Sequence, residues 1–202
     1  KDTYASVTKV SAPTVAVAAL TFTASPTPTI SGAAQFGQTL TASAGTWSPM
    51  VAPSYVWKRD GVAIVDATDS TYTLAPEDVG KRITVETTGM HEGYTTVTKK
   101  SAQTALVAPL NFTVFPAPVI IGTPMSGEIL SVDSAAWTPS ADEVTFTWRY
   151  LGSSTVLGTG ITYELLDSDI GKALTVTVTG AKDGYFTRSV RSNATTKVIA
   201  AD

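Results

Sequence analysis

Residues 71–81 (Thr-Tyr-Thr-Leu-Ala-Pro-Glu-Asp-Val-Gly-Lys) and residues 162–172 (Thr-Tyr-Glu-Leu-Leu-Asp-Ser-Asp-Ile-Gly-Lys) share one pattern at a spacing of 91 residues. In each stretch a Thr-Tyr-x-Leu segment is followed by Asp-x-Gly-Lys. Self-similarity at a fixed period is typical of repeat architectures, in which each repeat is one structural unit. The two stretches therefore predict that the chain is built twice on one plan.

The similarity extends in both directions from these stretches. Trp57 matches Trp148 at the same spacing of 91 residues, whereas Trp47 matches Trp137 at 90, so one residue is inserted between the two tryptophans of the second copy. Further matching segments are 26–32 with 116–122, 37–40 with 127–130, 88–89 with 179–180, and 93–94 with 184–185.

A third, partial copy lies at the start of the chain. Residues 4–9 (Tyr-Ala-Ser-Val-Thr-Lys) resemble residues 94–99 (Tyr-Thr-Thr-Val-Thr-Lys), 90 positions later. We therefore expect residues 1–19 to be the last strand of a preceding repeat, residues 20–109 to form repeat 1 and residues 110–202 to form repeat 2. An unpaired strand is a liability, so we expect residues 1–19 either to fray or to pair with an exposed sheet edge. We also expect the parent protein to hold more copies.

The strand pattern predicts an all-β fold. Each repeat has short alternating runs separated by turn residues every 8–12 positions, as β-sandwiches and barrels do. In repeat 2, for example, Leu174, Val176 and Val178 alternate with threonines, which places the two sets on opposite faces of a strand. Residues 75–78 and 166–169 are predicted to form single helical turns between strands.

The order of these motifs resembles the immunoglobulin-like pattern. In that pattern a core Trp on strand C precedes a strand E motif and an Asp-x-Gly before strand F, which matches Trp57, residues 72–74 and Asp78. With its Trp-x-Pro and Gly-Tyr motifs, the chain resembles the bacterial Ig-like repeats of secreted and surface proteins of actinobacteria, which are often appended to hydrolases. It departs from antibody-type domains, because Arg82 and Ala173 stand where a tyrosine corner would have Tyr, and because the inter-sheet cysteines are missing.

The predicted fold is two tandem immunoglobulin-like sandwiches preceded by the orphan strand. The chain has no cysteine, which excludes disulfides, thiolate metal sites and cysteine nucleophiles. A domain of this size without a disulfide depends on a few large buried side chains. We predict that these structural core residues are Trp57, Trp148, Tyr72 and Tyr163.

Catalysis is not predicted, and neither are cofactors or metal ions. The only histidine, His91, lies in a loop where the other repeat has Lys182, and we interpret it as a surface residue. The clustered carboxylates, such as Asp66 and Asp69, do not form the Asp-x-Asp-x-Asp-Gly pattern of calcium loops. Asp78 and Asp169 are interpreted as caps of the turn before strand F.

Four aromatic residues are the candidates for a ligand contact: Trp47, Trp137, Tyr94 and Tyr185. Each tryptophan belongs to a Trp-x-Pro turn and each tyrosine follows a glycine. Exposed aromatic rings stack on sugars, so these residues could form a carbohydrate-binding face. The competing interpretation is that they close the open ends of the sandwiches. Exposure of the two indoles distinguishes these interpretations.

Composition restricts the partners. Charged residues make up 15% of the chain and the net charge is -3, unlike the strongly basic surfaces of nucleic-acid binders. No apolar run approaches the ~20 residues of a membrane span. We predict an extracellular or cell-surface bacterial module that contacts neighbouring repeats and acts as a spacer, stalk or interaction domain. The alternative is a carbohydrate- or cell-wall-binding module of a secreted hydrolase or adhesin.

Overall fold

The computed structural model describes residues 5–201. Repeat 1 contains seven short strands, named here by chain order: β1 (Thr29–Ser31), β2 (Thr39–Ser43), β3 (Ser54–Arg59), β4 (Val62–Ala63), β5 (Thr71–Thr73), β6 (Ile83–Gly89) and β7 (Val97–Lys100). They form two antiparallel sheets in the orders β1-β2-β5 and β4-β3-β6-β7. In immunoglobulin terms these sheets are A-B-E and C′-C-F-G.

Repeat 2 has the same order of elements: β8 (Val119–Ile121), β9 (Ile129–Asp133), β10 (Glu143–Tyr150), β11 (Gly158–Thr159), β12 (Thr162–Glu164), β13 (Leu174–Ala181) and β14 (Arg188–Arg191). Its sheets have the orders β8-β9-β12 and β11-β10-β13-β14. The prediction of two tandem immunoglobulin-like sandwiches is confirmed by this matched topology.

A tryptophan on the third strand of each repeat lies at the centre of its core. Trp57 and Trp148 are both 0% exposed. Each indole nitrogen donates a hydrogen bond to a backbone carbonyl, of Asp69 at 2.8 Å and of Gly160 at 3.0 Å respectively. Buried indole N–H groups need such acceptors, and the rings pack on Tyr72 and Tyr163 at centroid distances of 5.8 and 5.7 Å.

Alternation of apolar and polar residues sets the faces of the strands. In β2, Leu40 and Ala42 are buried while the three flanking hydroxyl residues are exposed. In β13, Leu174, Val176 and Val178 point into the sandwich. A shift of register by one residue would turn these apolar side chains outward, so the pattern fixes how the strands pair.

The predicted helical turns are confirmed as 3-10 turns, at Pro76–Asp78 and Asp167–Asp169. Each connects the strand E equivalent to the strand F equivalent. In each, the buried aspartate at the third position accepts a hydrogen bond from a backbone N–H at the start of the turn.

The hairpin after the core tryptophan differs between the repeats. In repeat 1, Asp60 (φ 44°) and Gly61 (φ 88°) form a two-residue turn that brings β4 directly beside the end of β3. Two positive φ values define the tight hairpin turn that Asp-Gly favours. In repeat 2, residues 151–157 form a longer loop, and β11 pairs with β10 at Trp148 and Thr147.

A single proline separates the hydrogen-bonded bodies of the two repeats. Val107 and Ala108 pair with Val79 and Gln35 of repeat 1. Leu110 already pairs with Tyr185 of repeat 2. Only Pro109 lies between them, and its ring fixes φ and restricts the hinge.

Residues 5–19 contain no strand and form no backbone hydrogen bond to a sheet edge of the described chain. The strand expected over residues 1–19 is therefore not formed in this described part, and residues 1–4 lie outside the described residues. A lone strand has no ladder partner and is not stable by itself. Repeat 1 begins with the pairing of Leu20 and Tyr94. Across residues 5–201, no helix has the length and apolar character to cross a membrane.

Candidate functional site: the joint between the repeats

The Trp-x-Pro tryptophans close the ends of the sandwiches. Trp47 is 3% exposed and Trp137 is 8% exposed. Trp47 packs edge-on against Phe22 at 5.3 Å, and Trp137 packs in the same way against Phe112 at 5.1 Å. Sugar stacking needs an open ring face, and these indoles have none. The glycan-contact interpretation of the two tryptophans is therefore corrected to a packing role.

A glycine on the F strand makes room for each of these indoles. A Cβ atom built on Gly89 would lie 2.4 Å from Trp47, and one on Gly180 would lie 2.7 Å from Trp137. Real Cβ atoms essentially never come so close to another heavy atom. The absence of a side chain at these glycines thus leaves room for the six-membered ring of each indole beside the strand.

The glycine-tyrosine pair of each repeat lies at its leading end, where the chain enters the sandwich. Tyr94 is half-buried and packs against Phe22 and His91, at centroid distances of 5.5 and 4.9 Å. Tyr185 is also half-buried and packs against Phe112 at 5.6 Å. The two tyrosines therefore pack at the ends of the repeats, and their contact with a glycan stays a prediction.

Among the described residues, Tyr185 has a neighbour without a counterpart at Tyr94, because repeat 1 contacts repeat 2 at this point. Phe36 of repeat 1 meets Tyr185 of repeat 2 edge-on, with ring centroids 6.1 Å apart. Phe36 also fills the space beside Gly184, where an added Cβ would lie 2.4 Å from the phenyl ring. The glycine therefore forms a notch that receives an aromatic side chain from the preceding repeat.

Backbone hydrogen bonds continue across the joint. Phe36 donates its N–H to the carbonyl of Ala108, and Leu110 donates its N–H to the carbonyl of Gly184 at 2.8 Å. Phe36 and Leu110 are thus held on either side of Pro109. Sequence reasoning did not find Phe36, because its counterpart in repeat 2 is Ser126, and the repeat pattern gave no reason to single out this position.

Within residues 5–201, each repeat also contains one fully buried carboxylate. Asp78 accepts hydrogen bonds from Arg59 Nε at 2.6 Å, from the Tyr72 hydroxyl at 2.7 Å and from the backbone N–H of Ala75. Burial, with the hydrogen bond to Asp78, raises the pKa of Tyr72 to about 12. The hydrogen bond to Asp78 also raises the pKa of Arg59.

The second buried carboxylate, Asp169, has a different set of partners. It accepts hydrogen bonds from the Tyr150 hydroxyl at 2.5 Å, the Tyr163 hydroxyl at 3.1 Å and the backbone N–H of Leu166. Burial, followed by the charge of Asp169, raises the pKa of Tyr163 to about 12. The hydrogen bond to Asp169 raises the pKa of Tyr150. Both aspartates have every partner within their own repeat, and each ties the turn before strand F to the core.

Three further ion pairs within residues 5–201 join Lys58 to Glu86, Lys81 to Asp60 and Lys182 to Asp142. His91 is exposed, and its Nδ1 atom lies 3.0 Å from the carbonyl oxygen of Glu92. Within residues 5–201, no group of three or more His, Cys, Asp or Glu side chains could hold a metal ion. Two open grooves of about 370 and 240 Å³ lie at equivalent places, beside Ile30 and Ile120, and no titratable side chain lines either of them.

Comparisons with known proteins add structural neighbours but no sequence family. Neither a protein-family model nor a curated protein sequence matches the chain. Similar solved structures include a Ca2+-stabilised adhesin that helps an Antarctic bacterium reach out and bind ice, with 12% identity and a TM-score of 0.37 over 89% of this chain and 49% of that chain. Three N-terminal domains of the bacteriophage RB49 Highly Immunogenic Outer Capsid protein match with 17% identity and a TM-score of 0.31, over 82% of this chain and 58% of that chain.

Tandem Ig repeats of Dlar match with 12% identity and a TM-score of 0.27, over 87% of this chain and 95% of that chain. The chain spans about half the length of the adhesin chain and 58% of the chain that holds the three capsid-protein domains. At these scores the neighbours carry no argument about function. The class of the protein, tandem immunoglobulin-like sandwiches, follows from the strand order of its own sheets.

Proposed function

We propose that the chain is a non-catalytic tandem Ig-like segment of a bacterial extracellular or cell-surface protein, and that it acts as a semi-rigid spacer between other parts of that protein. The observation that carries this proposal is the joint between the repeats. One proline links the two bodies, and Phe36 fills the notch at Gly184.

The physical argument is one of restricted rotation. A flexible linker of several residues would leave two sandwiches to reorient independently, as domains with small interfaces do by default. A one-residue linker with a fixed φ leaves few backbone torsions to vary. Rotation about the remaining torsions would withdraw the Phe36 ring from the notch at Gly184. That withdrawal is unfavourable, because aromatic pairs contribute about 0.5–1.5 kcal/mol beyond the area they bury. The joint therefore favours one relative orientation, which a spacer requires.

A distance measurement tests the proposal. The chain has no cysteine, so spin labels can be attached uniquely in the variant Lys100→Cys/Arg191→Cys, at matching exposed positions of β7 and β14. We expect double electron–electron resonance to give one narrow distance distribution. Adding Phe36→Ser, the residue found at the matching position of repeat 2, should broaden it. A distribution that is already broad with Phe36 in place would contradict a spacer role.

The matched control is Phe22→Ser, which alters the corresponding region at the other end of repeat 1. Phe22 packs on Trp47 and Tyr94 within its own repeat. Its replacement should lower the stability of repeat 1 without changing the width of the distribution, as long as both repeats remain folded.

A further inference from the structure

The outer face of the sheet β8-β9-β12 in repeat 2 exposes a strip of three branched aliphatic side chains. Val119 and Ile121 of β8 are 60% and 51% exposed, and Ile129 of β9 is 59% exposed. Val119 and Ile121 are two residues apart on one strand, which places them on the same face. Ile121 lies opposite Ser131, so Ile129, two residues before Ser131, is its diagonal neighbour on that face. The three side chains therefore form one continuous apolar strip.

A carboxylate stands at each end of this strip. Asp133 is directly opposite Val119, and Glu164 of β12 is directly opposite Ile129. Directly opposite side chains are about 4.5–5.5 Å apart at Cβ. Both carboxylates are exposed, and within residues 5–201 neither has an ion-pair partner. The strands β8, β9 and β12 contain no lysine or arginine. The strip is therefore bracketed by two negative charges that these strands do not neutralise.

Repeat 1 shows that the fold does not require this arrangement. On the outer face of its sheet β1-β2-β5 every position holds an exposed hydroxyl residue: Thr29, Ser31, Thr39, Thr41, Ser43, Thr71 and Thr73. The hydroxyls of Thr39 and Thr73 hydrogen-bond to each other at 2.9 Å, where repeat 2 has the pair Ile129 and Glu164. Both repeats form the same sandwich, so the requirements of the fold do not account for the aliphatic and acidic residues of repeat 2.

The strip lies at the side of the chain and not at an end. Repeat 1 joins repeat 2 end-on, through Pro109 and the contact of Phe36 with Gly184. Repeats joined in this way meet at the ends of their strands, which leaves the outer face of a sheet to a separate molecule. A second copy that offered the same face would bring four carboxylates together without a cation, and like charges oppose such a contact. The charges therefore select a cationic partner.

From the strip and its two carboxylates we propose that the outer face of β8-β9-β12 binds a separate protein, through an extended segment that carries an aliphatic side chain between two lysine or arginine residues. This inference goes beyond the proposed spacer function, because it assigns a partner to one face of repeat 2. Contiguous exposed apolar residues with a polar rim mark such interaction sites, and opposite charges across the contact give it specificity.

The spacing of the carboxylates defines the pattern of the partner. Asp133 and Glu164 are separated by four residues along β9 and by one strand, which is roughly 14 Å in ideal strand geometry. In an extended segment, residues i and i+4 are separated by about 13–14 Å and share a face with residue i+2. Cations at i and i+4 with an aliphatic residue at i+2 therefore match the two carboxylates and the strip between them.

Amide chemical shifts of the 15N-labelled chain test the site, since they detect weak binding and report on each repeat separately. The probe is the synthetic peptide acetyl-Thr-Lys-Thr-Val-Thr-Lys-Thr-amide, whose lysines and valine share one face when the peptide is extended. We expect shifts that increase with peptide concentration at the amides of β8, β9 and β12, and none at β1, β2 and β5. Added salt should reduce these shifts, because it screens exposed charges.

Two control peptides separate the matched pattern from general stickiness. Replacing both lysines with glutamate reverses the charge and should remove the shifts. The peptide acetyl-Thr-Lys-Lys-Val-Thr-Thr-Thr-amide has the composition of the probe but places its lysines on opposite faces, so it should give smaller shifts.

Exchanges with repeat 1 provide matched variants, because each introduced residue already stands at the equivalent position of a folded repeat. The first set removes the strip and keeps the carboxylates: Val119→Thr/Ile121→Ser/Ile129→Thr. The second set removes the carboxylates and keeps the strip: Asp133→Ser/Glu164→Thr. Either set should abolish the shifts in repeat 2. If the amide spectrum of repeat 2 shows that a set disturbs the fold, the single substitutions Ile129→Thr and Glu164→Thr repeat the test.

The reverse exchange moves the site to repeat 1. It replaces the hydroxyl residues with those of repeat 2: Thr29→Val/Ser31→Ile/Thr39→Ile/Ser43→Asp/Thr73→Glu. We expect this variant to show peptide-dependent shifts at β1, β2 and β5 in addition to those in repeat 2.

Four results of the titration would overturn the proposal: no shifts at β8, β9 and β12, equal shifts at β1, β2 and β5 of the unsubstituted chain, equal shifts with the glutamate peptide, or shifts that both sets of exchanges in repeat 2 retain. Shifts at this face that grow with protein concentration in the absence of peptide would identify a second copy as the occupant and would overturn it as well. None of these results depends on the width of the distance distribution between the two repeats. Failure of this contact is therefore distinguishable from failure of the spacer proposal.

Discussion

The two repeats hold the same buried carboxylate in two chemically different ways. In repeat 1 the Arg59 guanidinium neutralises Asp78 through a hydrogen bond of 2.6 Å. In repeat 2 the matching position is Tyr150, and two tyrosine hydroxyls with one backbone N–H hold Asp169 instead. The ammonium group of Lys172 lies 4.2 Å from the centre of the Tyr150 ring, which places a positive charge near the site without direct contact.

Because the two repeats satisfy the buried carboxylate differently, the fold depends on the geometry of the 3-10 turn and not on one particular ion pair. A buried carboxylate must have its lone pairs satisfied. A cation meets that requirement by charge, and a pair of hydroxyls meets it by hydrogen bonding, which is strengthened when the acceptor is ionised. In both repeats the common outcome is a fixed connection between the 3-10 turn and the core.

The largest effect is expected when the cation of repeat 1 is removed. Arg59→Ala leaves the carboxylate of Asp78 buried without its charge partner, and breaking a buried pair in this way costs about 3–5 kcal/mol. Native-state hydrogen exchange measures the change separately in each repeat, at amides of β6 and β13, so that repeat 2 serves as an internal control.

The matched variant Arg59→Tyr places in repeat 1 the residue that holds the buried aspartate in repeat 2, where Tyr150 stands at this position. A tyrosine hydroxyl in reach of Asp78 should recover a substantial part of the stability that the alanine variant loses. Equal losses for the alanine and tyrosine variants would contradict the view that the two arrangements are interchangeable.

A second comparison concerns the two glycine notches, of which one is filled and the other open. Gly93 and Gly184 have φ values of +76° and +81°, so alanine is strained at both positions to a similar degree. Only at Gly184 does the added methyl group also meet Phe36, and overpacking of this kind costs about 1–3 kcal/mol more. Gly184→Ala should therefore destabilise the chain more than Gly93→Ala does, as measured by urea unfolding.

The phenyl ring should account for this excess. In the background Phe36→Ala the two glycine substitutions should cost nearly the same, which a double-mutant cycle shows directly. An excess that persists without Phe36 would place its origin inside repeat 2 rather than in the joint.

A smaller effect is expected from a polar group in the core of repeat 1. Thr87 is 0% exposed and its hydroxyl has no hydrogen-bond partner among residues 5–201, whereas repeat 2 has Val178 at the matching position. Removing an unsatisfied buried hydroxyl while keeping the shape of the side chain relieves a penalty of about 1–3 kcal/mol. Thr87→Val should raise the melting temperature of repeat 1, and Val178→Thr should lower that of repeat 2. An unchanged or lower melting temperature for Thr87→Val would show that the hydroxyl is satisfied.

The smallest effect concerns alkaline pH. The pKa of Tyr72 and that of Tyr163 are each raised from 10.0 to about 12 in the folded state. Between these values the unfolded chain loses a proton that the folded chain retains, so stability that is fully present below pH 10 is lost as the pH rises through about 12. Tyr72→Phe should reduce this loss in repeat 1 and leave repeat 2 unchanged. Hydrogen-exchange protection followed against pH measures the loss, and an equal pH slope for Tyr72→Phe and the unsubstituted chain would contradict the assignment to Tyr72.

Much of the fold could be predicted because it depends on residues that influence their sequence neighbours or that occur in both repeats. The alternation in β2 and β13, the matching Asp-x-Gly turns and the repeated core tryptophans are all visible in the chain. The joint could not be predicted in the same way. Phe36 differs from its counterpart Ser126, and its contact with Gly184 joins positions far apart in the chain.

In the candidate site, too, the sequence predicted some features and left others open. The sequence singled out Trp47 and Trp137 and left two interpretations open, a sugar-binding face or a plug. Both depend on whether other segments cover the rings, which composition and spacing do not specify. Phe22 and Phe112 cover them, together with glycines of the F strands.

Periodicity and turn chemistry act over a few neighbouring residues, so the order of amino acids is enough to establish the all-β class, the twofold repeat, the faces of the strands and the aspartate turns. Long-range packing is needed to explain the burial of the Trp-x-Pro indoles and the different partners of Asp78 and Asp169. It also explains why, among the described residues, the notch at Gly184 is filled and the one at Gly93 is not. These outcomes depend on which side chains distant segments bring together, and burial in a packed interior is a property of that whole arrangement.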